Sequence, residues 1–100
     1  MKVRVTDDAK ADLRQIKAFI SERNAIAAEE VIDRIRKTLT LLAVLPRLGH
    51  PGLVHGTFEK GVARVPYLIV YRFDITDAEH ELVVLRVYHS ARPRSKYDRF

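Results

Sequence analysis

The sequence contains no cysteine, and none of its apolar runs approaches the roughly 20 residues that span a bilayer. Without cysteine the chain cannot form disulfides or thiolate metal sites, which fits a reducing cytoplasm. The N-terminus, MKVRVTDDAK, has no apolar signal segment. No glycine-rich phosphate loop follows a predicted strand. We therefore expect a soluble, cytoplasmic protein that uses neither a metal nor another cofactor.

The length of 100 residues and the apolar content of 47% are typical of one globular domain. We predict a single domain over 1–100, in which 90–100 form a basic C-terminal tail. The net charge of +5 is unevenly distributed, because 6–45 balance seven basic side chains with seven acidic ones, whereas 86–100 carry five basic and one acidic. Such a basic patch attracts nucleic acid or an acidic protein surface, although a solubilising tail is an alternative.

Apolar residues at spacings of three and four predict two helices joined by a short turn. Thr6 and Asn24 are suitable N-caps, so the first helix is expected over about 7–22 and the second from the Asn24 cap to just before Pro46. Alternating or continuous apolar runs predict strands at 3–5, 61–65, 67–73 and 81–89. This order predicts an α+β domain, with the helical hairpin on one face of a three- to four-stranded antiparallel sheet.

The two helices can cover only one face of this sheet. The predicted core comprises Leu13, Ile16, Ile20, Val31, Ile35, Leu39, Ile69, Tyr71, Val83 and Leu85. Strict alternation leaves four apolar side chains on the other face, beside Arg72 and Arg86. Exposed apolar strips of this kind usually bind a partner, although the C-terminal tail or self-association could also cover this one. The predicted strip consists of Leu68, Val70, Leu82 and Val84.

Several groups with acid–base or phosphate-binding chemistry fall on the predicted strands. Arginines could hold a phosphate while Glu59 and His89 exchange protons, as RNA cleavage by the neighbouring 2′-hydroxyl requires. The alternative is that these arginines form structural ion pairs with Asp74, Glu79 or Glu81. His50 and His55 have no further ligand nearby in sequence, which favours surface histidines over a metal site. The complete nuclease set would be Glu59, Arg64, Arg86 and His89, with Tyr88 nearby.

The order of four segments resembles the RelE/ParE superfamily of toxins from bacterial type II toxin–antitoxin modules. The segments are ADLRQIKAFI, AEEVIDRIRKTLTLLAVLPRLGHPG, YLIVYRF and LVVLRVYHSARP. The resemblance covers about 90 residues, and the proline–glycine loop favours the ParE branch. The chain lacks the lysine cluster typical of RelE, since Lys60 stands alone.

The resemblance implies a toxin that inhibits DNA gyrase without being an enzyme and is neutralised by a ParD-like antitoxin. The alternatives are a ribosome-dependent mRNA endoribonuclease of the RelE type and a non-toxic module that only binds its antitoxin. Family antitoxins fold on their toxin in a hetero-oligomeric complex, with a helix against the helical hairpin and an extended stretch near the sheet. The resemblance would thus make the apolar strip, or the outer groove of the helical hairpin, a docking surface. The expected target-binding residues are Arg64, Arg72, Arg86, His89, Arg92, Arg94 and Lys96.

Overall fold

The computed structural model describes residues 1–76 and 78–91, which form two helices and one five-stranded sheet. One strand precedes the helices and the others follow them, as the sequence pattern predicts. The elements are β1 (Lys2–Val5), α1 (Asp7–Ser21), α2 (Ala25–Val44), β2 (His50–Pro51), β3 (Phe58–Gly61), β4 (Tyr67–Ile75) and β5 (His80–His89).

Both helices begin at a side-chain cap. Thr6 Oγ1 accepts a hydrogen bond from the Ala9 N–H at 3.1 Å, and Asn24 Oδ1 accepts one from the Ala27 N–H at 3.0 Å. These bonds satisfy amide groups that have no partner inside the helix. Pro46 opens a single 3-10 turn after α2, because proline cannot continue an α-helix. The two predicted helices are therefore confirmed.

The strand order across the sheet is β1-β5-β4-β3-β2. Strands β2 to β5 pair antiparallel, whereas β1 pairs with β5 in parallel. Only β1 is separated from its neighbour by nearly the whole chain, so no tight hairpin imposes an antiparallel direction on it. The predicted fold class is confirmed, with five strands instead of three or four. The additional strand, β2, has two residues and leaves no sequence pattern.

The strand predicted at 61–65 lies earlier in the chain, at Phe58–Gly61. The Val62 N–H donates to the Tyr67 carbonyl at 3.0 Å, which closes a turn where the prediction placed strand. Arg64 lies in this turn with a φ of 67°, in the left-handed region that few non-glycine residues adopt. Arg64 is therefore an exposed turn residue and does not belong to a strand.

An irregularity in the β4–β5 pairing changes which side chains share a face. Val70 pairs with Arg86 and Tyr71 with Val84, so Leu85 is left without a partner on β4. Such a β-bulge breaks the strict alternation of faces. Val84 therefore joins the face under the helices, whereas Val83 pairs with Arg72 on the other face.

The main core lies between the helices and one face of the sheet. Ile35, Ile69 and Tyr71 are buried at its centre, as predicted. Val83 and Leu85 are buried but do not belong to this cluster, so their predicted place under the helices is wrong, because the bulge changes the alternation. The remaining predicted core residues, Leu13, Ile16, Ile20, Val31 and Leu39, pack against the cluster and are partly buried.

Candidate functional site

Two of the arginines expected to bind a target are held in ion pairs. Arg72 Nη1 lies 2.8 Å from the Asp74 carboxylate, two residues along the same face of β4. Arg86 forms a two-point contact with Asp12, through Nε at 2.8 Å and Nη2 at 3.0 Å. Both guanidinium groups therefore form ion pairs. Asp74 is one of the predicted partners, whereas Asp12, on α1, is not.

The Asp12–Arg86 pair joins α1 to the sheet. The Asp12 carboxylate also accepts the Val87 N–H at 2.9 Å, so this one side chain satisfies three donors on β5. The Arg86 guanidinium lies over the Tyr88 ring, 4.9 Å from its centroid. The hydrogen bonds that Arg86 donates to the Asp12 carboxylate raise the pKa of Arg86 above its usual value. Arg86 is therefore a cation held in place by α1, and it already donates two of its five N–H groups to a carboxylate.

The acid–base candidates Glu59 and His89 lie on opposite faces of the sheet. Glu59 pairs with Val70 on the face away from the helices, and it is only 2% exposed. His89 pairs with Tyr67 on the helix-covered face, and its ring meets the Tyr67 ring edge-on at 5.5 Å. The β4 residues with which they pair, Val70 and Tyr67, are three positions apart, which is roughly 10 Å along the strand. The structure does not bring these two side chains to one reaction centre.

Glu59 also contacts one of the two predicted surface histidines. His50 Nε2 on β2 lies 3.4 Å from the Glu59 carboxylate. His50 itself is mostly exposed, whereas His55 lies in an exposed turn between β2 and β3. Among the residues that the structure describes, no group of three or more histidine, aspartate or glutamate side chains could hold a metal ion.

The predicted apolar strip is not a continuous exposed surface. Leu68 and Val70 lie on the face away from the helices, whereas Leu82 and Val84 belong to the helix-covered core. All four are buried, with exposures of 8%, 1%, 0% and 0%. The bulge at Leu85 separates the two pairs, because it reverses the alternation that the prediction assumed. Antitoxin binding through these residues stays a prediction, but the geometry that motivated it is wrong.

Exposed apolar side chains instead cluster where α2 ends. Val44 is 74% exposed, and it lines a shallow cavity of about 410 Å³ together with side chains from the following turn and from the end of β4. Leu41 lies one turn before Val44 on the same side of α2 and is also exposed. We call this surface the α2 patch, which consists of Leu41, Val44, Leu45, Leu48 and Ile75.

Asp12 and the α2 patch are functional candidates that the sequence patterns did not predict. Asp12 lies three residues after Ala9 and four before Ile16, so a carboxylate interrupts the apolar stripe of α1. That interruption is the signal that could have identified it, because a carboxylate on a buried face needs a cationic partner. The α2 patch is harder to recognise from sequence, because Leu41 and Val44 lie at the helical spacing that core residues also follow. Whether they are covered depends on the position of the loop after α2.

Three of the predicted target-binding cations, Arg92, Arg94 and Lys96, lie outside the described residues. Over the part of the chain that is described, no helix combines the length and apolar character required to cross a membrane.

Residues 3–94 match the family model for the ParE toxin of the type II toxin–antitoxin system parDE. The chain belongs to the ParE toxin family. A relative from Sinorhizobium fredii named "Putative toxin Y4kP" is 33% identical over 89 residues, which cover 89% of this chain and 88% of the relative. The resemblance on which the sequence analysis relied is thereby confirmed for this ParE family member.

Solved structures share the fold of this ParE family member. The chromosomal ParDE toxin–antitoxin system of P. aeruginosa matches with a TM-score of 0.76 and 22% identity, over 89% of this chain and 95% of the other. The YoeB/ParE toxin of Agrobacterium tumefaciens gives a TM-score of 0.63 and 18% identity, over 89% and 98%. The toxin–antitoxin complex RelBE2 of Mycobacterium tuberculosis gives 0.56 and 29%, over 88% and 95%.

Proposed function

We propose that this ParE family toxin inhibits DNA gyrase and is neutralised by direct binding of a ParD-like antitoxin. Membership of the ParE family supports this proposal, since the family model covers 3–94. The opposite placement of Glu59 and His89 also supports it. A binder that stabilises another enzyme's intermediate requires contact surface and charge, whereas a nuclease requires acid and base groups at one site.

The second candidate is a ribosome-dependent endoribonuclease of the RelE type. The similarity to the RelBE2 complex is the observation that favours this candidate. However, Glu59 and His89 lie on different faces, and Arg86 is paired with Asp12. A nuclease built from these groups would have to rearrange the sheet or break the Asp12–Arg86 pair on binding RNA. We therefore favour gyrase inhibition.

We propose that target binding relies on cations that do not form buried ion pairs. Arg64 is exposed in the turn before β4. The sequence adds Arg92, Arg94 and Lys96 after β5, so this part of the chain is strongly basic. Basic surfaces of this kind accelerate association with acidic partners and with DNA, and a gyrase–DNA complex contains DNA.

The target can be identified by two assays run in parallel on purified toxin. One measures DNA supercoiling by gyrase, and the other measures cleavage of ribosome-bound mRNA. We expect gyrase inhibition, with His89→Gln retaining most of the activity. Loss of toxicity in His89→Gln, with an intact fold and cleavage of mRNA by the wild type, would instead establish the nuclease.

Charge reversal tests the basic sequence directly. Changing Arg92, Arg94 and Lys96 together to glutamate should abolish growth inhibition. A matched control reverses three exposed helical cations and should retain toxicity, because it changes the net charge equally at another place. Equal loss in both triple variants would mean that net charge matters and the position does not. The control cations are Lys10, Arg14 and Arg36.

The α2 patch is our proposed contact for the apolar part of the antitoxin. Exposed apolar clusters on a small domain usually mark a binding surface. Val44→Asp with Leu48→Asp should weaken antitoxin binding, whereas Ile26→Asp should not. Ile26 is a matched control because it is exposed on the same helix, roughly 27 Å from Val44 along the axis. If antitoxin binds the wild type but expression of toxin alone is harmless, the chain is a non-toxic binding module.

A further inference from the structure

The side of the sheet away from the helices, which we call the outer face, is buried at one end. Five consecutive residues of β4, from Tyr67 to Tyr71, are buried, as are four consecutive residues of β5, from Leu82 to Leu85. A sheet with one face in water alternates buried and exposed residues, so consecutive burial requires a cover on both faces. The buried residues of the outer face include Glu59, Leu68, Val70, Val83 and Tyr88.

The described helices and strands do not supply this second cover. Both helices pack on the opposite face, and every described strand is a member of the sheet itself. The turn between β2 and β3 lies at the β3 edge, and Leu53 within it is exposed. Arg86 lies over the Tyr88 ring and accounts for part of the burial of that ring. The burial of Leu68, Val70 and Val83 still requires a cover.

The position of the buried area indicates which part of the chain covers it. Towards the β4–β5 turn the outer face opens, since the side chains of Arg72 and Asp74 are 40% and 51% exposed. The buried end contains Leu68 and Tyr88, next to the point where β5 ends. The structure contains a single chain, so the cover has to come from this chain. Position 77 falls in the turn at the open end, whereas 92–100 begin at the buried end.

The segment 92–100 has the length that this cover requires. Nine residues span at most roughly 30 Å. The buried area extends over two strand spacings, from β5 to β3, which is roughly 10 Å. Along β4 it extends from Leu68 to Val70 and ends before the exposed Arg72, four positions or roughly 13 Å from Leu68. The segment is therefore long enough to cross the whole buried area.

The chemistry of the segment also fits the outer face. It contains two aromatic residues, Tyr97 and Phe100, which can cover apolar side chains. The face contains the Glu59 carboxylate, which is 2% exposed, and a buried carboxylate favours a basic occupant over an acidic one. The segment carries four basic residues and one acidic residue.

We propose that the C-terminal segment 92–100 folds back over the outer face and packs Tyr97 and Phe100 against Leu68, Val70 and Val83. This contact depends neither on the cellular target nor on an antitoxin, so it goes beyond the proposed function. Aromatic anchors fix the segment without using the charges of its cations. The basic end of the toxin is then presented from the surface of the sheet and is not a free tail.

Contacts between protons in the wild-type protein test this arrangement directly. Nuclear Overhauser spectra of the full-length toxin should show cross-peaks from the Tyr97 or Phe100 ring protons to the methyl groups of Val70 and Val83. The methyl groups of Ile69 are the control, because Ile69 is a neighbour of Val70 in β4 but faces the helices. They should show no cross-peak to either ring.

A mixed sample distinguishes the chain's own segment from the segment of a second copy. Isotope-labelled and unlabelled toxin are combined in equal amounts, and the spectrum is filtered for contacts between the two kinds of molecule. We expect the cross-peaks to the Val70 and Val83 methyl groups to be absent from the filtered spectrum. Their presence there would show that a second copy covers the outer face, and the inference would be wrong.

A stability measurement on full-length variants provides an independent test. Tyr97→Ser combined with Phe100→Ser should lower the melting temperature by at least about 10 °C, because the cover loses both apolar anchors. The matched control combines Phe19→Ser with Leu53→Ser, since both side chains are about as large and are more than half exposed. The control should shift the melting temperature by less than about 4 °C.

The two measurements decide the inference together. Cross-peaks within one molecule and a larger loss of stability in the Tyr97 and Phe100 variant than in the control support it. If wild-type toxin shows no cross-peak from either ring to the outer face, and the two double variants melt at the same temperature, the segment does not cover this face. Both measurements leave the proposed function untouched, because neither uses gyrase, RNA or an antitoxin.

Discussion

Removal of the Asp12 carboxylate should be among the most destabilising single changes in this domain. Asp12 is 7% exposed, and it accepts hydrogen bonds from Arg86 Nε at 2.8 Å, Arg86 Nη2 at 3.0 Å and the Val87 N–H at 2.9 Å. Asp12→Ala leaves a mostly buried guanidinium without its counter-ion and a strand amide without its acceptor. The Asp8 carboxylate also interacts with Arg86, but more weakly than Asp12 does, so it cannot replace the lost ion pair.

The expected magnitude follows from the burial of the pair. Removing one partner of a buried ion pair costs about 3–5 kcal/mol. The Arg86 side chain retains 20% exposure and its contact with the Tyr88 ring, so partial rehydration should reduce the cost to the lower end of that range. A loss of about 3 kcal/mol in a domain of this size lowers the melting temperature by roughly 12–24 °C.

Urea denaturation of three variants measures this effect. Asp12→Asn retains an oxygen that can accept the Val87 N–H. Its free energy of unfolding should therefore lie between those of the wild type and Asp12→Ala. Glu29→Ala is the control, because it breaks an exposed ion pair with Lys17 at 3.0 Å, and it should cost less than about 1 kcal/mol. If Asp12→Ala proves no more destabilising than Glu29→Ala, Asp12 does not anchor α1 to β5.

Three further predictions concern packing and pH. Ile35→Ala should lower the free energy of unfolding by about 2–5 kcal/mol, whereas Leu41→Ala on the exposed side of α2 should hardly change it in the same urea titration. Gly49→Ala should destabilise the domain, because a Cβ there would lie 2.5 Å from the Tyr71 hydroxyl and 2.7 Å from the Glu59 carbonyl; an unchanged melting temperature would contradict this. Burial raises the pKa of Tyr71 above its usual value of 10.0, so stability should be retained below pH 10 and fall at higher pH, and Tyr71→Phe should reduce that fall in alkaline melting curves.

Local sequence determines the parts of this fold that could be predicted. The two helices follow from an apolar stripe bounded by Thr6 and Asn24, residues whose side chains cap the first free amides. The β4–β5 hairpin follows from two long apolar runs separated by a polar turn. Each of these signals lies within about ten residues of the structure that it specifies, so no knowledge of the rest of the chain is required.

The parts that could not be predicted depend on residues far apart in the chain. The bulge at Leu85 becomes visible only when the residue pairing between β5 and β4 is known. It places Leu82 and Val84 under the helices. The Asp12–Arg86 pair joins residues 74 positions apart. From sequence alone, Arg86 is indistinguishable from a phosphate-binding arginine. Its use as a structural cation becomes visible only when α1 is placed against the end of β5.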